Sequence, residues 1–287
     1  ITVLDNLSSG NLENLAKHKD DPKFSSVRGD ITNVRDVQKS LEDVDIVIHE
    51  AAITSVPLSI KKPDLVNKVN VGGTKTLLEE SAKADVKRFV YASSCAVYGE
   101  ADELPIREGE KTNPISPYGK SKLAGETQCK SFHDEQGLET VCLRYFNVYG
   151  PRQTFGPYAG VILQFLERVN NNKPPIIFGD GKQTRDFVYV SDVARGSLLA
   201  LEMDRAAGQV INIGTGTATS VNQLCGTILK TLGRADLEPV HEDPKPGDIR
   251  QSRADISKAK KILGYRPEIK LEEGIKSLIK HKGLYGG

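Results

Sequence analysis

Three side chains between Tyr91 and Lys122 carry the chemistry open to this chain: Ser94, Tyr118 and Lys122. Tyr118 and Lys122 stand four residues apart in SPYGKSKLAGE, at a helix start. That spacing puts both on one helix face, a single turn apart. An ammonium one turn from a phenol favours the phenolate and brings a tyrosine of pKa ~10 toward working pH. Ser94 closes the apolar run YASS, at the carboxyl end of a strand. Open α/β sheets present groups to ligands at that end. A serine, a tyrosine and a lysine so placed suit removal of an alcohol proton as hydride leaves its carbon. A Tyr-x-x-x-Lys pair alone is common by chance; the strand-end Ser-Ser and the long SPYGKSK string give it weight.

The bulk properties narrow the field. At 287 residues with 38% hydrophobic and 27% charged content, the chain can bury a sizeable core. A formal net charge of +1 points to no polyelectrolyte partner, so no nucleic acid is expected. No apolar run approaches the ~20 residues that span a bilayer, and no membrane association or signal peptide is expected. Cys95, Cys129, Cys142 and Cys225 lack metal-ligand spacing and suit thiols in a reducing, cytoplasmic setting. The five histidines show no ligand spacing, so no metal is expected, and His49 reads as a packed strand-end residue.

The elements that must position the trio alternate strand and helix. Strands are expected at Ile1 to Leu4, ending in Asp5, and at Phe24 to Val27, followed by GDITN. Asp45 to His49 is a continuous apolar strand of the kind buried on both faces of a parallel sheet. Further strands are expected at Arg88 to Ala92 and Thr140 to Tyr145, and helices at Asn33 to Leu41, Asn67 to Ala84 and Tyr118 to Gln136. This order predicts an α/β protein with a doubly wound parallel sheet. Past Gly150 comes an irregular stretch, then helices at Val161 to Asn170 and Ser191 to Leu201 and a strand at Gln209 to Ile213. GTGTATSV reads as a turn and helix cap, because it lacks the third glycine and following acidic strand of a dinucleotide fingerprint. KAKK reads as a solvated helix face.

YASSCAVYG, SPYGKSK, NVGGTKTLLEESAKA, TRDFVYVSDVA and KPGDIRQSRADISKAKKILGYRP together resemble the extended short-chain dehydrogenase/reductases. The likeness is to NAD-dependent nucleotide-sugar epimerases of the UDP-glucose and UDP-N-acetylglucosamine 4-epimerase kind, and it extends over essentially the whole chain. It implies a Rossmann-like NAD-binding domain over 1–149 plus about 187–213, and a smaller α/β nucleotide-sugar domain over 150–186 plus 214–287. The family's first strand and glycine-rich turn would precede Ile1, so the expectation is an N-terminally incomplete chain with a reduced cofactor cradle. By resemblance, NAD would be held by Asp5, Asp30, Ile31, Ala51, Ala52, Asn70, Ser93, Tyr118, Lys122, Tyr145 and Val148. A UDP-sugar would be held by Ser94, Asn147, Val161, Phe178, Gly179, Arg185, Lys245, Asp248 and Ser252. Lys245 stands where many relatives carry an arginine, and a lysine lacks that residue's bidentate fork. A homodimer through the Asn67 to Ala84 and Tyr118 to Gln136 helices is implied in the same way.

The residues after Ser94 bear on the reaction. Dehydratases and decarboxylases of this kind carry an added acid there, and this chain has Cys95 and Ala96, neither of which shuttles a proton to carbon at neutral pH. That points to epimerisation at carbon 4 through a transient 4-keto sugar. Ser252 lines the sugar pocket by resemblance, and its small side chain leaves room for N-acetylhexosamines. The alternatives are a UDP-uronic acid 4-epimerase or an inactive, cofactor-poor fragment of such an enzyme. A non-catalytic relative typically lacks the Tyr-x-x-x-Lys pair, which is kept here.

Overall fold

The computed structural model describes residues 1–153, 160–245 and 247–284, so part of the irregular stretch expected after Gly150 lies outside the described residues. Two compact units emerge. The first comprises Ile1–Val97, Pro114–Leu143 and Ala200–Val210; the second comprises Tyr98–Asn113, Arg144–Leu199 and Ile211–Gly287.

In the first unit, β1 (Thr2–Asp5) and β2 (Ser25–Arg28) pair in parallel, Thr2 opposite Ser25. Asn33 caps the helix α1 (Val34–Ser40) by accepting the Arg35 N–H, which stops the chain from extending β2. Next come β3 (Ile46–His49), the short helices α2 (Val56–Lys61) and α3 (Pro63–Val66), a π-helical turn over Asn67–Gly73, and α4 (Thr74–Lys83). β4 (Arg88–Ser94) pairs in parallel with β3, α5 (Pro117–Gln136) follows, and β5 (Glu139–Tyr145) lies on the far side of β4. The helix expected to run unbroken from Asn67 is thus a π turn followed by α4. A π-helical turn inserts an extra residue into the helical ladder, a feature frequent at functional sites.

Val37, Val47, Leu77, Leu78, Phe89, Tyr91, Cys129 and Phe132 form the core beneath this sheet. β4 is buried at every residue, as expected of a central parallel strand. β3 corrects the reading of a strand buried on both faces. Val47 and His49 face the core, whereas Ile46 and Ile48 are 43% and 41% exposed. The cause is position: β3 is the outer strand of the described sheet, so core is laid against only one of its faces. Among the described residues no helix is long and apolar enough to cross a membrane, and all four cysteines are free.

The second unit is built from short pairings. β6 (Asn147–Tyr149) lies parallel to β9 (Phe187–Tyr189), β7 (Ile176–Phe178) parallel to β12 (Val240–Glu242), and β8 (Thr184–Arg185) antiparallel to β11 (Thr219–Ser220); β10 spans Val210–Ile213. Its helices are α6 (Val161–Asn170), α7 (Val190–Glu202), α8 (Val221–Thr231), α9 (Ser257–Leu263) and α10 (Leu271–Lys282). Leu163, Phe165, Leu166, Leu224, Ile228, Ile275 and Leu278 form its core. The GTGTATSV turn ends in a capping box, Ser220 and Gln223 each bonding the other's backbone, as expected of a helix start. The buried Asp186 carboxylate accepts the Thr215 N–H and hydroxyl, the Gly216 N–H and the Ala254 N–H at 2.6–3.2 Å, tying the 215 turn to the chain at Ala254.

The seating of α5 on β4 depends on two glycines. A Cβ at Gly125 would meet the Tyr91 hydroxyl at 2.2 Å, and one at Gly119 would meet the Ala96 carbonyl oxygen at 2.6 Å. Gly125→Ala is therefore expected to destabilise the chain by about 1–3 kcal/mol through overpacking, although alanine is the better helix former. Urea unfolding of both proteins checks this, and an unchanged midpoint would contradict it.

Candidate active site

In the first unit, the close seating of α5 delivers Tyr118 to the end of β4. Ser116 caps α5, accepting the Gly119 N–H at 3.1 Å, and the Tyr118 N–H donates to the buried Ser59 hydroxyl at 3.1 Å. The phenol is thereby set near the Ser94 side chain, whose hydroxyl oxygen accepts the Ala96 N–H at 3.2 Å. Lys122, one turn on, is 3% exposed; its ammonium donates to the Ala92 carbonyl at 2.7 Å and lies 5.0 Å from the Tyr91 ring centre. The structure thus brings together the trio picked out by spacing.

Its electrostatics differ from the simple expectation. Tyr118 is pushed up to about 12 by desolvation, with the nearby Ser94 hydroxyl pulling the other way. Lys122 is pushed down to about 8 by burial, partly offset by the Glu50 carboxylate. Burial thus outweighs the effect expected of the helix spacing, and the ammonium's hydrogen bond goes to the Ala92 carbonyl. Glu50 was not picked out in the sequence, yet its charge raises both Tyr118 and Lys122. The available signal was an acid directly after β3, at the carboxyl end of a parallel strand.

Other expected residues are drawn into the scaffold. Asn70 is 1% exposed; its amide oxygen accepts the Ile53 N–H at 2.8 Å, and its amide nitrogen donates to the Ile53 carbonyl and the Ser121 hydroxyl, both at 3.0 Å. The Ser121 hydroxyl in turn donates to the Tyr118 carbonyl at 2.8 Å. Asn70 therefore links the loop after Ala51 and Ala52 to the helix turn bearing Tyr118. Ser93 donates its hydroxyl to the buried Glu126, another residue the sequence did not flag, although it continues the four-residue spacing of Tyr118 and Lys122. His49 is buried against Phe89 and Tyr91, bonds the Thr74 hydroxyl at 2.8 Å, and is pushed down to about 3 by burial, so it stays neutral.

Asp5 is an exposed carboxylate at the carboxyl end of β1, with the Leu7 N–H on one oxygen at 2.7 Å and Gly10 folded against the other. Such a strand-end carboxylate suits the two hydroxyls of a ribose. Asp30 follows β2, accepts from Asn6 and Thr32, and is held below the ordinary carboxylate range by those bonds despite its partial burial. The buried Ile31 packs under Gly73, where a Cβ would meet it at 2.6 Å. Ala51 and Ala52 are exposed and half-exposed, with no side chain to hinder close approach to the backbone. This donor set fits the adenosine half of a dinucleotide.

In the second unit, Asn147 on β6 donates its backbone N–H to the Asp186 carbonyl at 2.9 Å, and its side-chain nitrogen is a buried donor without a protein partner. Val148 is its half-buried neighbour, and the Tyr145 hydroxyl is bonded to Ser197 at 2.7 Å. Arg185 on β8 is paired with Asp248, and Lys245 lies 3.7 Å from the Phe178 ring centre. Gln183, buried and unanticipated, donates to the Phe178 carbonyl at 2.8 Å and reaches Asp248 at 3.5 Å. Gly179 adopts a positive φ of 73° directly after Phe178, and Ser252 is 5% exposed. Val161 opens α6, half-buried against this unit's core.

A family model described as "NAD dependent epimerase/dehydratase family" matches residues 1–214. A protein of Methanocaldococcus jannaschii named putative UDP-glucose 4-epimerase is 43% identical over 282 residues, covering 97% of this chain and 89% of its own length. A UDP-N-acetylglucosamine 4-epimerase of Methanobrevibacter ruminantium, solved with UDP-N-acetylmuramic acid, is 38% identical with a TM-score of 0.93, covering 98% of this chain and 89% of its own. The UDP-glucuronic acid 4-epimerase of Bacillus cereus, solved with UDP-glucuronic acid and NAD, is 34% identical with a TM-score of 0.91, covering 99% and 91%.

The burial of Lys122 has a consequence for stability. A lysine whose folded pKa of about 8 lies below its unfolded value near ~10.4 disfavours folding wherever it must be charged. The penalty is full below about 8 and fades as pH rises toward ~10.4, amounting to roughly 3 kcal/mol from 1.36 kcal/mol per unit. Relative to Lys122→Met, the unaltered chain should therefore gain stability between pH 8 and 10. Denaturant unfolding across that range checks it; a constant difference would show the ammonium to be solvated.

Proposed function

Because the chain belongs to the NAD-dependent epimerase/dehydratase family, we propose that it inverts carbon 4 of a UDP-hexose, taking both UDP-N-acetylglucosamine/UDP-N-acetylgalactosamine and UDP-glucose/UDP-galactose. The observation that carries this reading is the convergence of Ser94, Tyr118 and Lys122 at the end of β4 with no carboxylate in the turn that follows. Cys95–Val97 forms a short 3-10 turn there, so nothing at Cys95 or Ala96 supplies the acid that dehydration needs. The four free thiols support a reducing, cytoplasmic setting. On the same reading the chain works as a homodimer through α4 and α5.

Bound NAD would supply a hydride acceptor that is also the hydride donor, so net redox would be zero. Asp5 and Asp30 would hold its adenosine end. Tyr118 takes the proton of the sugar hydroxyl, and Ser94, close to the phenol, steadies the same oxygen. Lys122 must turn from the Ala92 carbonyl toward Tyr118 to favour the phenolate, and its lowered pKa makes it a ready proton reservoir. Asn147 would donate its buried, unpartnered amide hydrogens to the diphosphate, and Arg185 and Asp248 would bond phosphate and ribose. Such remote contacts anchor the nucleotide while the 4-keto sugar turns its other face.

Incubation with UDP-N-acetylglucosamine and with UDP-glucose in the presence of NAD, followed by chromatographic separation of the epimers, tests the assignment; no epimer from either would overturn it. Tyr118→Phe should lower turnover by about a thousandfold or more while leaving UDP binding near normal, and retained turnover would place the base elsewhere. Ser252→Tyr should reduce turnover of the acetylated sugar far more than that of UDP-glucose. Equal losses would remove Ser252 as the gate.

A further inference from the structure

Arg250 stands midway between Asp248 and Ser252, and more hydrogen bonds meet on it than on either. Its backbone N–H is shared by the two carboxylate oxygens of Glu100 at 3.2 and 2.9 Å. Its guanidinium places two parallel bonds on the Asp180 carboxylate at 2.7 and 2.8 Å. Its carbonyl accepts the Thr184 N–H at 3.0 Å, and two residues on the Ser252 N–H donates to the Thr184 carbonyl at 3.2 Å. From Arg250 onward the segment is thus laced along β8, and it is held again where Ile106 donates to the Arg253 carbonyl at 2.8 Å.

The stretch just before Arg250 is different. His241 to Asp248 is exposed at every described residue, and from Asp243 onward the backbone hydrogen bond it makes is local, Asp248 N–H to the Lys245 carbonyl. Arg250 is therefore the joint between a segment laced by its backbone along β8 and an exposed segment tied through side chains, Asp248 to Arg185 and Lys245 over Phe178. The residue it grips is fixed: Asp180 accepts the Lys182 N–H at 2.9 Å, and its carbonyl accepts the Asn222 amide at 3.0 Å. Asp180 follows Phe178 and Gly179 directly. Its carboxyl is held far below the ordinary carboxylate range by the arginine, so the fork stays ionised at any working pH. Arg250 and Asp180 are 52% and 46% exposed, and a pair that open to water adds little to folding. What a bidentate fork does supply is geometry.

We propose that Arg250 is a positioning residue of the nucleotide-sugar site: forked onto Asp180 and held by Glu100, it sets the spacing between the Phe178–Gly179 turn and the Asp248–Ser252 segment without touching the substrate itself. The inference rests on the UDP-sugar reading of this site. It assigns to three residues outside the expected set the task of keeping the ribose-facing carboxylate and the sugar-facing serine in register with the base-flanking turn.

Calorimetric titration of UDP into the unaltered chain, Arg250→Gln, Asp180→Asn and the double variant, beside a thermal melt of each, tests it. The expected result is about a tenfold loss of UDP affinity in each single variant, a double variant no weaker than the singles, and melting temperatures within about 2 degrees of the unaltered chain. Unchanged UDP affinity in either single variant would overturn the proposal. So would multiplied losses in the double variant, which would mean two independent contacts. Should Arg250→Gln fail to fold, Asp180→Asn decides alone, since it removes one charge and leaves the arginine in place. If the unaltered chain binds no UDP, the UDP-sugar reading itself falls, an outcome distinct from normal binding that the variants leave unmoved.

Discussion

Everything chemical in the first unit depends on how closely α5 lies on β4. Gly119 and Gly125 remove the two side chains that would hold helix and strand apart. The resulting contact buries Lys122 against the Ala92 carbonyl and sets Tyr118 beside Ser94. Desolvation then acts on both groups in opposite directions, raising the phenol and lowering the ammonium, so two proton affinities that are nearly equal in water move apart. The phenol therefore keeps its proton in the unliganded chain, while the ammonium gives its proton up more readily than a lysine in water.

A second layer holds this contact in place. Asn70 ties the loop after β3 to Ser121, and Ser121 ties back to the Tyr118 carbonyl. Glu126 takes the Ser93 hydroxyl one turn beyond Lys122, which fixes the strand end against the same helix face. These groups are buried and satisfied by one another, and a fully satisfied polar network rigidifies what surrounds it. Residues that resemblance assigned to the cofactor therefore serve as scaffold, and Glu50 adds a charge that raises both Tyr118 and Lys122.

The second unit follows a different rule. Its strands are only two to four residues long, and they are held by buried carboxylates more than by ladders: Asp186 gathers four donors and Asp192 three more from Arg195, Glu268 and Ile269. Around that frame the polar residues expected to meet a nucleotide sugar are paired with each other, Arg185 with Asp248 and Lys245 over Phe178. A ligand bringing phosphate and a flat base would exchange for these contacts, with Asn147 already holding a donor that no protein atom uses.

The amino-acid sequence by itself determined the alternation of strand and helix, the helix from Tyr118, the capped turn at Ser220 and the Ser94, Tyr118 and Lys122 set, because these rest on spacing and local capping that the chain carries residue by residue. Family resemblance was legible for the same reason, since its strings are contiguous. Only the tertiary structure decided that Ile46 and Ile48 face outward, because burial of a strand depends on what covers it. Only the fold could bring Lys122 onto the Ala92 carbonyl, since that acceptor lies 30 residues earlier in the chain. The roles of Glu50, Glu126, Gln183 and Arg250 were hidden for the same physical reason. A charge or an amide acquires its partner through contacts between distant segments, and even where position hinted at a role, as for Glu50 and Glu126, the sequence does not record the partner.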